Sequence, residues 1–367
     1  MYKMMTPGPT QVREDVMEAR SRWFPNPDLD ADFVEYYHDT CLLISELLHT
    51  ENEALILDGE GILGLEAACA SITEPKDRVL VLDNGIYGEG FKDFVTMYGG
   101  TPVLYTTSYE EPIDGEALKA YLEKDHNFKY ATVVHCDTPS GMLNDIKTLC
   151  PILSSYGIMT LVDSVSGMFG EEVRVDDWKI DLLCGGSQKA VSAPPGLTFV
   201  TISETAKKAM KERKTPIASF YANLKTFENY YEEKWFPYTM PASDIYGLRQ
   251  ALENIKADKD MLNRHAEAAA YTRRELQNMG LALYPRKGYS NTVTTFEIPE
   301  GWTAQEILTQ MREKYNILLA GSFGPYANKL IRIGHMGTNA NMPDLKATLD
   351  ALKAILQSKC FPDHANK

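Results

Sequence analysis

Between residues 53 and 202 the sequence switches repeatedly between short apolar runs and longer amphipathic ones, and this rhythm restricts the possible folds more than any other feature. The short runs suit strands buried on both faces, and the stretches between them carry apolar residues at helical spacing. Strands are predicted at 54–58, 78–83, 101–105, 130–135, 159–163 and 181–187, and helices at 63–72, 87–98, 114–123 and 145–156. Residues 197–202 are expected to close the sheet as a hairpin partner. Strands that alternate with helices pair in parallel, so the prediction is an α/β domain of doubly wound type.

The flanks read differently. Thr6-Pro7-Gly8-Pro9-Thr10 is a rigid extended arm suited to a subunit or domain contact, followed by a short helix at 14–20. A loop at 21–28, carrying Trp23 and Phe24, leads into an amphipathic helix over 30–49. One long helix over 243–279 should link two domains, before strands at 292–298, 317–320 and 329–334 and helices at 304–315 and 344–356. The expected division is an arm at 1–20, a large α/β domain at 21–255 and a small α+β domain at 256–367.

A formal charge of −14 repels nucleic-acid phosphates and anionic membranes, so any anion site must be local. The six cysteines, Cys360 near the end among them, are scattered with no spacing suited to a metal. Reduced thiols in a cytoplasmic protein are the expectation. The first residues lack the apolar core of an export signal, the terminal HANK carries no known address, and no run of about 18 apolar residues occurs.

Chemistry enters with Lys189, in DLLCGGSQKAVSAPPG at 181–196. The apolar run before it is a strand, so Lys189 emerges at the strand's carboxyl end, where open α/β sheets place their ligand crevices. Most lysines are solvated surface charges. A desolvated one loses its proton more readily and can bond covalently to a carbonyl cofactor such as pyridoxal phosphate. Asp163 ends another apolar strand and would share that edge, where a carboxylate against a pyridine nitrogen keeps the ring protonated and electron-accepting. Asp163 serves equally as a helix cap. Tyr87, in NGIYG, is placed to stack on a ring, or to pack in the core.

A rival is present in the same sheet. Gly59-Glu60-Gly61-Ile62-Leu63-Gly64 matches GxGxxG between a strand and a helix, and Asp83 ends the next strand, as a nicotinamide- or flavin-dependent oxidoreductase requires. Both readings use the free amides of a helix start to hold a phosphate.

Taken in order, TPGPT, NGIYG, HCDTPSGML, LVDSVSGMFG, GGSQKAVSAPPG and LLAGSFGPYANKLIRIG resemble the class V, fold type I pyridoxal-phosphate aminotransferases, especially the alanine–glyoxylate and serine–pyruvate group. The resemblance implies the fold type I architecture, a large domain with a mostly parallel sheet flanked by helices and a smaller C-terminal α+β domain. It implies pyridoxal 5′-phosphate as cofactor and ping-pong transfer from a small amino donor of alanine or serine type to glyoxylate or pyruvate. Carried over by position, Lys189 bonds the cofactor, Asp163 meets the ring nitrogen, Tyr87 and Val165 take opposite ring faces, and Thr138 and Gln188 touch the cofactor. Arg332 grips the substrate carboxylate. Thr239 reaches the phosphate of a neighbouring subunit, implying a homodimer with shared sites.

The chain departs from the family at the phosphate turn, where relatives have Ser-Gly-Thr or Ser-Gly-His and this sequence has Glu60-Gly61-Ile62. The Gly61 and Ile62 amides are expected to hold the phosphate while the Glu60 carboxylate turns away. The partner-strand tyrosine of relatives is replaced by Phe236 or displaced to Tyr238. Gln188 before the lysine argues against a cysteine desulfurase, and a 2-aminoethylphosphonate:pyruvate transaminase stays as the nearer alternative.

Overall fold

A computed structural model describes residues 2–23 and 25–360, with side chains as far as residue 358. Phe24, the Cys360 side chain and the terminal HANK lie outside the described residues. The strands are β1 (Lys3–Met4), β2 (Ala54–Asp58), β3 (Arg78–Asp83), β4 (Thr101–Thr106), β5 (Tyr130–Val134), β6 (Cys136–Asp137), β7 (Met142–Leu143), β8 (Met159–Asp163), β9 (Leu182–Gly186), β10 (Leu197–Ile202), β11 (Val293–Glu297), β12 (Ile317–Leu318), β13 (Ala320–Gly321) and β14 (Leu330–Gly334). The helices are α1 (Glu14–Arg20), α2 (Ala31–Leu47), α3 (Gly61–Ile72), α4 (Ile86–Met97), α5 (Gly115–Leu122), α6 (Ile146–Ser155), α7 (Glu204–Lys211), α8 (Tyr230–Glu233), α9 (Ala242–Ala257), α10 (Met261–Asn278), α11 (Ala304–Tyr315) and α12 (Met342–Cys360).

Seven strands form the main sheet in the order β2-β10-β9-β8-β5-β3-β4. Every residue of β5, β8, β9 and β10 is buried, as expected of strands covered by helices on both faces. All neighbouring pairs are parallel except those of β10, which runs antiparallel to both β9 and β2. Because β10 alone is reversed, β2 still points the same way as β9. The carboxyl ends of β2, β3, β5, β8 and β9 therefore share one edge, and that edge carries the site. The hairpin expectation for 197–202 needs correcting in one respect. β10 sits inside the sheet, and β2 forms the border.

That border is covered by α2. The fully buried Tyr37 hydroxyl donates to the Ile56 carbonyl at 2.7 Å and accepts from the Ile56 amide at 2.9 Å, and the Ser45 hydroxyl accepts from the Ala54 amide at 3.0 Å. Backbone groups that a further strand would have paired are satisfied by side chains instead.

The single long helix expected over 243–279 is two helices. After Ala257 the Asp258 carboxylate accepts from the Asp260 amide at 3.2 Å and pairs with Arg264, a local turn that competes with helix continuation. A second hydrophobic cluster gathers Leu276, Phe296, Ile307, Met311, Ile331, Ile333, Leu349 and Leu352 around the sheet β11-β14-β13. Met5 belongs to it as well, and β1 pairs in parallel with β12, so the amino-terminal arm is tied down at its start. Among the described residues no helix is long and apolar enough to cross a membrane.

Candidate active site

The loop after β9 is closed by its own small residues. The Ser187 hydroxyl donates to the Pro194 carbonyl at 2.6 Å, and the Ala193 amide returns to the Ser187 carbonyl at 2.9 Å. Lys189 stands on this loop and shares a narrow cleft of about 60 Å³ with Glu60, Ile62, Tyr87, Cys136, Asp163, Val165 and Ser166. Wider recesses exist elsewhere, but this is the one onto which Lys189 and Asp163 both open.

Burial pushes the Lys189 amine below the usual lysine range, with Arg332 acting the same way and the Glu60 and Asp163 carboxylates opposing. Burial also lifts the Asp163 carboxyl to about 7, partly offset by the Val165 amide, which donates to it at 3.0 Å, and by Lys189. A carboxylate this poorly solvated is completed by a cation, and a protonated ring nitrogen is one that fits.

The arm lies directly on the lysine, a closer role than the subunit or domain contact expected of it. Lys189 Nζ donates to the Pro7 carbonyl at 2.9 Å, and Thr10 bonds the Gln188 carbonyl through its amide at 3.1 Å and the Lys189 carbonyl through its hydroxyl at 3.0 Å. Gly8 has φ +107°, and a Cβ there would fall 2.4 to 2.7 Å from the Lys189 side chain. Only glycine suits that position.

Tyr87 enters the cleft from the start of α4 and is held by Asp137, whose carboxylate accepts the Tyr87 amide at 3.1 Å and the Ser140 hydroxyl at 2.6 Å. Thr138 is buried behind this, beside the Tyr87 hydroxyl, rather than lining the cleft. Val165 presses on the start of α3, since a Cβ on Gly61 would lie 2.9 Å from both its methyl groups. Arg332, on β14, donates from Nε and Nη2 to the Gly321 carbonyl at 3.0 and 2.7 Å, and its guanidinium lies 5.6 Å from the Phe323 ring centre. Burial lowers its pKa, while Tyr87 and Asp137 raise it. No carboxylate among the described residues forms an ion pair with it, so it is not part of a structural salt bridge.

One expectation changes. Glu60 does not turn away from the helix start. Its Oε2 accepts the Ile62 amide at 2.9 Å and its Oε1 accepts Gln188 Nε2 at 2.7 Å, so the carboxylate caps α3 where an anion was expected. Thr239 lies outside its own chain's cleft, donating to Asp28 at 2.8 Å. Phe236 is packed among Phe33, Tyr37 and Tyr230 in the core, while Tyr238 stacks on Tyr221.

Sequence reasoning missed Asp137 and Cys136 as site residues. Their strand, β6, is only two residues long and carries no periodic signal. Burial pushes the Cys136 thiol up to about 12, so it stays protonated and is no nucleophile. The dinucleotide alternative loses its acid, because Asp83 is buried and already accepts from the Thr106 hydroxyl at 2.8 Å and the Tyr109 hydroxyl at 2.6 Å.

Comparison with known proteins agrees with this geometry. The family described as Aminotransferase class-V matches residues 6–330. The chain is 32% identical to the pyridoxamine–pyruvate transaminase of Mesorhizobium japonicum, across 96% of this chain and 91% of that protein. It is 31% identical to the alanine–glyoxylate aminotransferase of Callithrix jacchus, across 86% and 78% respectively. The crystal structure of ureidoglycine–glyoxylate aminotransferase from Bacillus subtilis superposes with a TM-score of 0.94 at 29% identity, covering 100% of this chain and 96% of that one.

Gly8→Ala should force the lysine aside and lower turnover by about tenfold or more, with thermal stability falling much less. Steady-state rates and a melting curve on the same preparation measure both, and a Gly8→Ala variant as active as its parent would remove the arm from the site.

Proposed function

Since the chain belongs to the class-V aminotransferase family, we propose that it moves an amino group between a small amino donor of alanine or serine type and a small 2-oxo acid, glyoxylate or pyruvate, in two half reactions. Enzymes of this family and fold depend on pyridoxal 5′-phosphate. When bound, its protonated ring takes up the electron pair released at the substrate carbon. The residues around Lys189 fit the ring, while the helix start that would receive its phosphate is capped by Glu60.

The observation that carries the reading is a desolvated Lys189 amine on one cleft with a buried Asp163 that forms no ion pair among the described residues. Lys189, whose hold on its proton is weakened by burial, would be the group that bonds the cofactor aldehyde. With the cofactor bound, the Lys189 amine would be the group placed to take and return the proton at the substrate carbon, as base and then acid. Asp163 would hold a proton on the ring nitrogen. Tyr87 and Val165 line the cleft where they would bracket the ring, with Asp137 fixing Tyr87 through its amide. The Pro7 carbonyl orients the amine and helps to exclude water.

Arg332 is assigned the substrate carboxylate. Its guanidinium is partly desolvated and held by one carbonyl, which leaves donors for a planar, two-point grip. The relatives' names support a short 2-oxo acid as acceptor, since glyoxylate and pyruvate recur while the donors named with them differ. The same guanidinium would accept a phosphonate, so 2-aminoethylphosphonate belongs in any donor screen.

Shared sites in a homodimer are part of the proposal. Trp23, Leu29 and Trp235 are 84%, 83% and 53% exposed. The Asp28–Thr239 bond joins the two loops that carry them. Large apolar side chains left this exposed are what a partner subunit would cover. A cytoplasmic location is favoured by the five described cysteines, all buried and unpaired.

Arg332→Lys should raise KM for the 2-oxo acid by about tenfold or more and leave the visible absorbance of bound cofactor intact. Unchanged KM across alanine, serine, glycine and 2-aminoethylphosphonate paired with glyoxylate and pyruvate would remove Arg332 from substrate binding. Sedimentation equilibrium should give twice the 41.2 kDa chain mass; a single-chain mass would contradict shared sites.

A further inference from the structure

The start of α3 is the natural berth for the phosphate of a pyridoxal cofactor, and here a side chain of the same charge already stands in it. Glu60 Oε2 takes the Ile62 amide at 2.9 Å, one of the donors a phosphate would use. Its other oxygen takes the Gln188 side-chain amide at 2.7 Å. Gln188 is only 3% exposed, and its remaining polar atom, Oε1, has no hydrogen-bond partner. That carbonyl lies beside Gly186, where an added Cβ would come within 2.9 Å of it and 3.1 Å of a Val165 methyl, close to the face assigned to the ring.

The berth therefore offers two kinds of acceptor, a carboxylate and an orphaned carbonyl, and has already given away donors. A phosphate dianion is itself an acceptor and would face both with repulsion. A hydroxyl is the complementary group, since its O–H can satisfy Gln188 Oε1 or the Glu60 carboxylate. Rotating Glu60 into solvent would free the Ile62 amide and Gln188 Nε2. It would also uncap α3 and leave a carboxylate at the rim, while the Gln188 carbonyl would stay unpaired.

We infer that this chain takes the vitamin B6 ring in its unphosphorylated form, with the 5′-hydroxymethyl group against Glu60 and Gln188, and that pyridoxamine and pyridoxal are its exchanging substrates. The inference rests on the reading that Lys189 and Asp163 hold the ring. The net step balances without an outside oxidant. The amino group of pyridoxamine leaves C4′ for C2 of the 2-oxo acid, and the keto oxygen is replaced by an aldehyde oxygen at C4′ through water taken up and released. C4′ is oxidised by two electrons and C2 is reduced by two. Glu60 and Gln188 are positioning and selectivity groups for the 5′ end of the ring.

The test compares pyridoxal with pyridoxal 5′-phosphate on the full-length protein freed of bound B6, following the visible absorbance of the lysine-bound aldehyde and calorimetric affinity. Pyridoxamine with pyruvate is then assayed for pyridoxal and alanine. Pyridoxal should bind at least about tenfold tighter than its phosphate, as expected for a like charge near a protein surface. Glu60→Ser should shift that preference toward the phosphate by a similar factor, with pyridoxal-dependent rates falling. Phosphate binding equal to or tighter than pyridoxal in the unaltered protein would overturn this inference alone. Failure of both forms to bond Lys189 would overturn it together with the reading beneath it.

Discussion

One amine kept out of water organises this molecule. A lysine in solvent is a cation and no nucleophile, and only withdrawal from water makes it useful at neutral pH. Lys189 is withdrawn by three parts of the chain that are distant in sequence: the loop after β9, the start of α3 and the arm at Pro7 and Gly8. The seven-stranded sheet brings these together because β10 alone is reversed, which puts the end of β2 on the same edge as the end of β9. Asp163 reaches that edge from β8 and Tyr87 from the start of α4, just beyond β3, so the acid and the ring-stacking group are both set by the sheet.

The electrostatics of the cleft follow from this placement. Glu60, Asp137 and Asp163 set carboxylates around Lys189 and Arg332, the two basic groups among the site residues. Asp163 needs a cation and lacks one of its own, which suits a protonated ring. Glu60 takes an amide at the helix start that would otherwise be free for an anion, and the Gln188 carbonyl stays unpaired beside it. The two ends of the cleft thus ask for different things, a positive ring nitrogen at one and a hydrogen-bond donor at the other. A ligand's ring can be common to the family while its tail is not.

Much of the sheet was legible in the sequence because strands buried on both faces must be apolar throughout. The predicted bounds of β2, β3 and β8 match the structure, and so does α11, whose Thr303 and Glu306 form a capping box. Lys189 and Asp163 were legible for a related reason, since a charged residue ending an apolar strand stands out and its position at the sheet edge follows from topology. What sequence reasoning missed depends on contacts across long separations. The approach of Gly8 to Lys189 joins residues 181 apart, and nothing local to TPGPT announces it. The break between α9 and α10 turns on one aspartate choosing a turn over a helix, which propensity does not decide. Glu60 was noticed as out of place, but its rotamer was expected to follow charge repulsion from an absent anion. It follows the nearest free amide instead, the ordinary behaviour of a helix cap.

The central claim is that Lys189 is the amine that bonds the ring aldehyde. Borohydride reduction after incubation with either aldehyde form of vitamin B6, followed by peptide mass mapping, tests it directly. The reduced adduct should sit on Lys189 alone and vanish in Lys189→Ala while the protein stays folded. An adduct spread over surface lysines, or one undiminished in that variant, would contradict the account.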